Sequence, residues 1–108
     1  MHVVIFEVWP KEGCRDAYLD IAAALKAELV QIDGFISVER FTSLTEEGKM
    51  LSLSFWRDED AVKRWRQHAE HQAAQGRGRY ELFANYRLRV ASVLRDYGPK
   101  EREEAPQA

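Results

Sequence analysis

The stretch SFWRDEDAVKRWRQHAEHQAAQGRGR, Ser54–Arg79, decides how the rest of this 108-residue chain is arranged. It starts in an alternating apolar strand and becomes acidic. It then continues as a helix carrying Trp65, His68 and His71, and ends in a Gly/Arg-rich turn. Asp58 is a suitable N-cap, and the two acidic residues after it stand where the helix dipole favours negative charge. The stretch predicts a strand followed directly by a helix that carries chemically active side chains.

Patterns of apolar residues predict three strands and one helix before this second helix. These are a central strand at His2–Trp9, an amphipathic helix at Gly13–Val30, and a hairpin of strands at Phe35–Leu44 and Met50–Arg57. Pro10 ends the first strand because proline cannot donate a ladder hydrogen bond. Asp33-Gly34 supplies the turn into the hairpin, whose own loop contains Gly48.

The last element is predicted to be a long strand, from Tyr80 to about Tyr97. Apolar residues occupy one parity, while Arg87, Arg89 and Arg95 lie on the other. A strand of this length exceeds what a small sheet needs, so its far half is predicted to pair with another subunit. The charged tail, residues 99–108, is predicted to be disordered. Residues 1–98 then form a single domain.

The order of the predicted elements is βαββαβ, which indicates a ferredoxin-like α+β fold. In this fold two helices cover one face of an antiparallel sheet. The other face would carry aromatic and aliphatic side chains, and a large exposed apolar surface is unfavourable in water. We therefore expect a homodimer in which two sheets close face to face into a dimeric α/β barrel.

Composition, charge and residue spacing argue against several classes of protein. With 16 basic and 18 acidic residues the net charge is -2, so no basic field attracts nucleic acid. No run is long enough to span a membrane, and the first residues lack the features of a secretory signal. The single cysteine, Cys14, cannot form an internal disulfide, which favours the cytoplasm. His68 and His71 lack the spacing and carboxylate of a zinc-protease helix, so no metal site is predicted.

The second helix allows two interpretations. On a helical wheel Trp65 faces inward, His68 lies at the boundary with the sheet, and His71 lies closer to solvent. In the first interpretation, Trp65 is a core aromatic residue and the histidines are polar residues on the helix flank. In the second, the helix lines an apolar pocket in which a histidine ligates heme iron or transfers a proton to an organic substrate. The residues alone leave both open.

A family resemblance rests on FWRDEDAVKRW (Phe55–Trp65), on EHQAAQGRGRYELF (Glu70–Phe83) and on the aromatic last strand. Together they resemble the antibiotic biosynthesis monooxygenase (ABM) domain family, and within it the small heme-degrading-monooxygenase-like branch. The resemblance implies homodimers of ferredoxin-like subunits. It also implies oxygenase activity, since the family includes cofactor-independent oxygenases of polycyclic aromatic compounds, quinol oxygenases and enzymes that open the heme ring.

The resemblance also implies a set of site residues. Trp65 matches the helix tryptophan of the heme-degrading enzymes, and His71, or else His68, corresponds to their axial heme ligand. Those enzymes have an asparagine on the first strand, where this chain has Glu7 or an immediate neighbour. The candidate catalytic residues are therefore His71, His68, Trp65 and Glu7, with His71 and Trp65 as the candidate heme contacts.

Two functions follow. The first is an ABM-type monooxygenase, cofactor-independent or heme-dependent, that acts on an aromatic, quinol-like or heme substrate in a pocket between the second helix and the sheet. The second is a non-catalytic dimeric module that binds a small apolar or aromatic ligand or serves in stress or metabolic regulation. In either case the expected partner is a second copy of the chain.

Overall fold

The computed structural model describes residues 1–74 and 79–106, with side chains at 1–69 and 81–106. The elements in chain order are β1 (His2–Pro10), α1 (Arg15–Leu29), β2 (Phe35–Thr42), β3 (Met50–Trp56), α2 (Glu59–Ala74), a short 3-10 helix (Arg79–Leu82) and β4 (Phe83–Ser92). The four strands form one antiparallel sheet in the order β2-β3-β1-β4. This confirms the ferredoxin-like α+β fold and the central position of the first strand.

The start of α2 follows the sequence pattern closely. The backbone N–H of Ala61 donates to the Asp58 carboxylate at 2.9 Å, so Asp58 is the N-cap of α2, as the sequence predicts. This hydrogen bond, together with one from Arg57, lowers the pKa of Asp58 below its usual range. Because Asp58 comes two residues after β3 ends, the cap fixes where the chain leaves the sheet and turns into the helix.

The turn before β2 packs against the first turn of α2. Gly34 has a φ of +92°, a left-handed conformation that favours glycine. A Cβ atom added at this position would lie 2.6 Å from the Cβ of Ala61, which is completely buried. The carbonyl of Gly34 also accepts a hydrogen bond from the Arg57 N–H at 2.7 Å. Glycine is required here both for backbone conformation and for space.

The last strand is shorter than the predicted span of Tyr80–Tyr97. It begins at Phe83, because the preceding residues form the 3-10 helix, and it ends at Ser92. The pairing with β1 explains this length, since β1 is the only strand beside β4 in the described sheet. One more ladder-like bond follows, from Val93 N–H to the Met1 carbonyl at 2.9 Å.

The chain after β4 makes local contacts up to residue 106. Asp96 N–H donates to the Glu104 carboxylate at 2.7 Å, and Gly98 N–H donates to the Glu101 carbonyl at 2.8 Å. The disorder of residues 99–108 stays a prediction. None of the helices in the described ranges is long and apolar enough to cross a membrane.

The core lies between the helices and one face of the sheet. On β1 and β3 the even-numbered residues face the helices, and most of them are buried. The buried apolar residues of this layer are Val4, Val8, Met50, Trp56 and Phe83 from the sheet and Tyr18, Ala22, Leu29, Ala61 and Val62 from the helices. The odd-numbered side chains form the open face of the sheet, where Ile5, Leu53 and Phe55 are only half-buried. No described element covers this face.

Candidate functional site

A cavity of about 50 Å³ lies between the helices and the helix-side face of the sheet. Its floor contains a row of four side chains, one from each strand in sheet order: Arg40, Ser52, Phe6 and Leu88. Neighbouring strands lie about 4.8 Å apart, so this row, called here the transverse row, is roughly 14 Å long. The helices do not cover its β4 end, where Leu88 is 41% exposed.

Two serines on β3 create the hollow. On the helix side of this strand the residues are Met50, Ser52, Ser54 and Trp56, so two small side chains stand between two large ones. A serine leaves unfilled the volume that an aliphatic residue would occupy. Ser54 also accepts a hydrogen bond from the Trp56 indole nitrogen at 2.9 Å. The hollow therefore has a polar floor as well as a fixed aromatic neighbour.

Aromatic rings form two walls. At one end the rings of Trp56 and Trp65 have their centroids 5.9 Å apart. At the other end the Phe83 ring lies 5.6 Å from Phe6 and 5.4 Å from Tyr18. All five residues line the cavity. Trp65 is half-buried and faces inward, where the helical wheel places it.

Arg40 is the only charged residue among the described cavity-lining residues. Its Nε atom is shielded from solvent and has no hydrogen-bond partner. The His2 Nδ1 atom shares this property, but His2 does not line the cavity. Within the described chain no carboxylate pairs with Arg40. The cavity thus combines apolar walls with one unneutralised guanidinium group.

The structure does not bring His68 into the cavity. Its Nε2 atom lies 3.5 Å from the Glu28 carboxylate, so His68 connects α2 to α1 at a position 37% exposed. The side chain of His71 lies outside the described residues. Of the helix residues singled out in the sequence, Trp65 alone is placed at the cavity by the described structure.

Glu7 lies on the open face of the sheet, away from the cavity. It pairs with Lys49 at 3.2 Å and with Arg89 at 3.0 Å. The hydrogen bond from Lys49 is the main cause that lowers the pKa of Glu7, against a smaller opposing effect of burial. Glu7 is therefore a carboxylate at neutral pH. The residue before it on β1, Phe6, does line the cavity. Phe6 is one of the immediate neighbours of Glu7 that could correspond to the asparagine of the heme-degrading enzymes.

Four residues that line the cavity were not predicted as site residues: Arg40, Ser52, Phe6 and Tyr18. The sequence of β3 does contain one indication of the hollow, because Ser52 and Ser54 stand between apolar residues on the same side of the strand. The position of Arg40 depends on the register between β2 and β3, which places it beside Ser52. That register could not be read from the hydrophobic pattern.

The described part of the cavity does not fit heme. Its lining contains no imidazole or thiolate that could serve as an axial ligand of heme iron. No group of three or more His, Cys, Asp or Glu side chains in residues 1–69 and 81–106 is arranged to hold a metal ion. A heme site would need a ligand from outside this described lining, for which His71 is the candidate.

Solved structures share this arrangement of strands and helices. Rv0793 from Mycobacterium tuberculosis superimposes with a TM-score of 0.75 at 19% identity, covering 90% of this chain and 98% of that protein. The heme-degrader MhuD from the same organism, solved with two hemes in its active site, gives 0.72 at 16% identity and covers 91% and 100%. These similarities define the class of protein by fold, the ferredoxin-like α+β class.

Sequence comparison identifies the family within that class. Residues 1–77 match the family model for antibiotic biosynthesis monooxygenase. Over 93 residues the chain is 50% identical to the jasmonate monooxygenase ABM of Pyricularia oryzae, which covers 86% of this chain and 43% of that protein. It is 40% identical over 94 residues to the uncharacterized protein YqjZ of Bacillus subtilis, covering 87% and 80%. The chain belongs to the antibiotic biosynthesis monooxygenase family, and it spans less than half of the Pyricularia relative.

Proposed function

We propose that this chain is a cofactor-independent monooxygenase that oxidises a small aromatic or quinol-like substrate in the cavity between the helices and the sheet. Family membership supports the reaction class, and the hollow at Ser52 and Ser54 supports the place. The observation that carries the proposal is this hollow, walled by Trp56 and Trp65 and floored by hydroxyl groups. Apolar walls with few polar groups are typical of sites for organic ligands.

The proposed reaction balances without an external reductant. A phenol or hydroquinone has a keto tautomer in which one ring carbon is a CH₂ group. This CH₂ group and O₂ give a carbonyl group and water, so the substrate supplies all the electrons that reduce oxygen. The first step is loss of a proton from the substrate, which leaves an electron-rich anion able to react with O₂. The described lining offers neither a carboxylate nor an imidazole as a base. We therefore expect a substrate that ionises readily by itself, such as a hydroxylated polycyclic compound.

Ser54 has a specific role in this scheme. Its oxygen accepts the Trp56 N–H, and its own hydrogen is not donated to any residue in the described chain. A hydroxyl group has one donor as well as its acceptor sites, so Ser54 can donate to a substrate oxygen. That hydrogen bond is stronger once the oxygen carries negative charge. Ser54 would thereby favour the substrate anion over the neutral substrate.

Oxygen uptake with hydroquinones and hydroxylated polycyclic aromatics tests the proposal, with mass spectrometry after turnover under ¹⁸O₂. Incorporation of one labelled oxygen atom is the expected result. Ser52→Leu places a larger apolar side chain in the hollow and should lower kcat/KM by at least about tenfold. Ser92→Leu, an exposed position on β4, is the matched control. Equal activity of Ser52→Leu and the control would show that the substrate does not react in this cavity.

The heme alternative rests on His71 and has a separate test. Hemin is titrated into the wild-type protein and into His71→Ala and His68→Ala, and the Soret band is followed. Because His68 contacts Glu28, we expect His68→Ala to behave like the wild type. A saturable shift that is lost only in His71→Ala would establish heme binding through His71. The absence of any shift in the wild type would eliminate heme.

We further propose that the open face of the sheet forms a homodimer interface. Ile5, Leu53 and Phe55 give this face an apolar centre, and the ion-paired Glu7 lies beside them. Covering such a face with a second copy would bury it in a dimeric barrel. Light scattering should give twice the chain mass for the wild type and a smaller mass for Leu53→Glu. A monodisperse wild-type monomer at micromolar concentration would contradict the proposal.

A further inference from the structure

We propose that Arg40 binds the carboxylate of an acidic substrate and gives the cavity a preference for aromatic acids over their neutral analogues. The inference rests on the proposed function in that it takes the same cavity as the substrate site, and it adds the chemical class of the substrate. It concerns binding, so it can be tested without turnover.

Arg40 lacks the counter-charge that other arginines of this chain have. Arg57 and Arg64 face the Asp33 carboxylate at 3.0 Å and 3.6 Å, and Arg89 faces Glu7. Arg40 has no such partner in the described chain, and its Nε atom is both buried and unbonded. A buried donor without an acceptor is costly, and a charged donor is more so. A ligand anion would supply the missing acceptor.

The chemistry of the guanidinium group favours a carboxylate. Its planar set of N–H donors matches the two oxygens of a carboxylate, and such pairs are often bidentate. The described lining contains no second cation beside Arg40. One positive charge neutralises one negative charge, so a monoanionic carboxylate fits the site better than a dianionic phosphate. The carboxylate is therefore the occupant that the residues favour.

The geometry of the transverse row favours an aromatic acid. Arg40 stands at one end of the row, Ser52 follows it, and Phe6 comes two strands from Arg40. With strands about 4.8 Å apart, Arg40 and Phe6 are separated by roughly 10 Å at the backbone. A carboxylate bound at Arg40 would place an attached ring over Ser52 and against Phe6. This arrangement suits an aromatic ring that carries its acid on a short side chain.

Phenylacetate and methyl phenylacetate are a matched pair of probes, since they share the ring and differ in charge. Tryptophan fluorescence reports on binding, because Trp56 and Trp65 line the cavity and phenylacetate does not absorb at their excitation wavelength. We expect the wild-type protein to bind the acid at least about tenfold more tightly than the ester, as a hydrogen-bonded charge pair provides. Equal affinity for the two probes, or binding of neither, would overturn the proposal.

Substitutions at Arg40 test whether this residue causes the preference for the acid over the ester. Arg40→Gln should lose the preference for the acid, and Arg40→Lys should keep part of it, because lysine retains the charge without the bidentate geometry. Arg66→Gln is the matched control, since Arg66 is exposed on α2 and does not line the cavity. Thermal unfolding verifies that each variant is folded. If Arg40→Gln fails to fold, the comparison of Arg40→Lys with the wild type still decides the point, since an unchanged preference would refute the bidentate contact.

The two proposals fail in different ways. Selective binding of the acid without oxygen uptake from any tested quinol or acid would refute the monooxygenase reaction and leave the role of Arg40 standing. Oxygen uptake with neutral quinols, combined with equal binding of phenylacetate and its ester, would refute the role of Arg40 alone.

Discussion

Gly34→Ala tests whether the contact between the turn before β2 and the start of α2 determines stability. Alanine at a φ of +92° costs about 1–2 kcal/mol, because the left-handed conformation is unfavourable for residues with a Cβ atom. The new Cβ would also lie 2.6 Å from the Cβ of buried Ala61, and such overpacking costs about 1–3 kcal/mol. The sum is about 2–5 kcal/mol of unfolding free energy. For a domain of this size that lowers Tm by at least about 8 °C.

Urea denaturation of five proteins separates the two contributions: the wild type, Gly34→Ala, Ala61→Gly, the double variant and Gly48→Ala. Gly48→Ala is the matched control, since Gly48 has a φ of +80° and no atom lies within 4 Å of its added Cβ. It should lose only the conformational part, about 1–2 kcal/mol. Adding Ala61→Gly to Gly34→Ala removes the clashing atom, so the double-mutant cycle should show a coupling energy of roughly 1–3 kcal/mol. Equal losses in Gly34→Ala and Gly48→Ala, with no coupling to Ala61, would refute the reasoning.

Three further predictions address the ring beside the cavity, the acid response and the first strand. Trp56→Phe removes the hydrogen bond to Ser54 and part of a buried ring, and should cost roughly 1–3 kcal/mol in urea denaturation. Arg57 lowers the pKa of Asp33, so the ionised carboxylate stabilises the fold at pH values above its unfolded pKa of about 3.9, and this stabilisation is lost as the pH falls through the lower folded pKa. The stability of Asp33→Asn, measured by unfolding at a series of acid pH values, should therefore depend less steeply on pH than that of the wild type. Glu7→Gln should change kcat of oxygen uptake by less than about twofold, because Glu7 lies on the open face; a loss of tenfold would support the catalytic role suggested by resemblance.

Local sequence patterns were enough to predict most of the fold. The apolar run of β1 identified a central strand, and Asp58 identified the start of α2 within one residue. These features depend on interactions between residues close in the chain, such as the cap of a helix by its preceding aspartate. The length of β4 was not predictable in the same way. It depends on how many backbone groups β1 offers, which is a property of the assembled sheet.

The candidate site was predicted less completely for a related reason. Trp65 could be assigned to an inward face because the period of its own helix decides its direction. Arg40 and Phe6 become neighbours of Ser52 only through the registers of two strand pairs. A shift by one residue would turn each side chain to the other face. Glu7 shows this sensitivity, since it stands one position from Phe6 and lies on the opposite side of the sheet.

The hollow at Ser52 and Ser54 lowers the stability of the fold, which is informative about its function. The apolar walls of the hollow lack the packing contacts that larger side chains would make, and the loss of these contacts lowers the stability of the fold. Valine at position 52 would suit a strand and would fill part of the space, so no requirement of the fold accounts for serine there. The neighbouring Arg40 adds a second unfavourable feature, a buried donor without an acceptor. One ligand with an apolar ring and a carboxylate would remove both costs together. The unfilled hollow and the unbonded donor of Arg40 are independent departures from stable packing, yet they lie in one place and one type of ligand satisfies both. This coincidence favours a binding site over a packing defect.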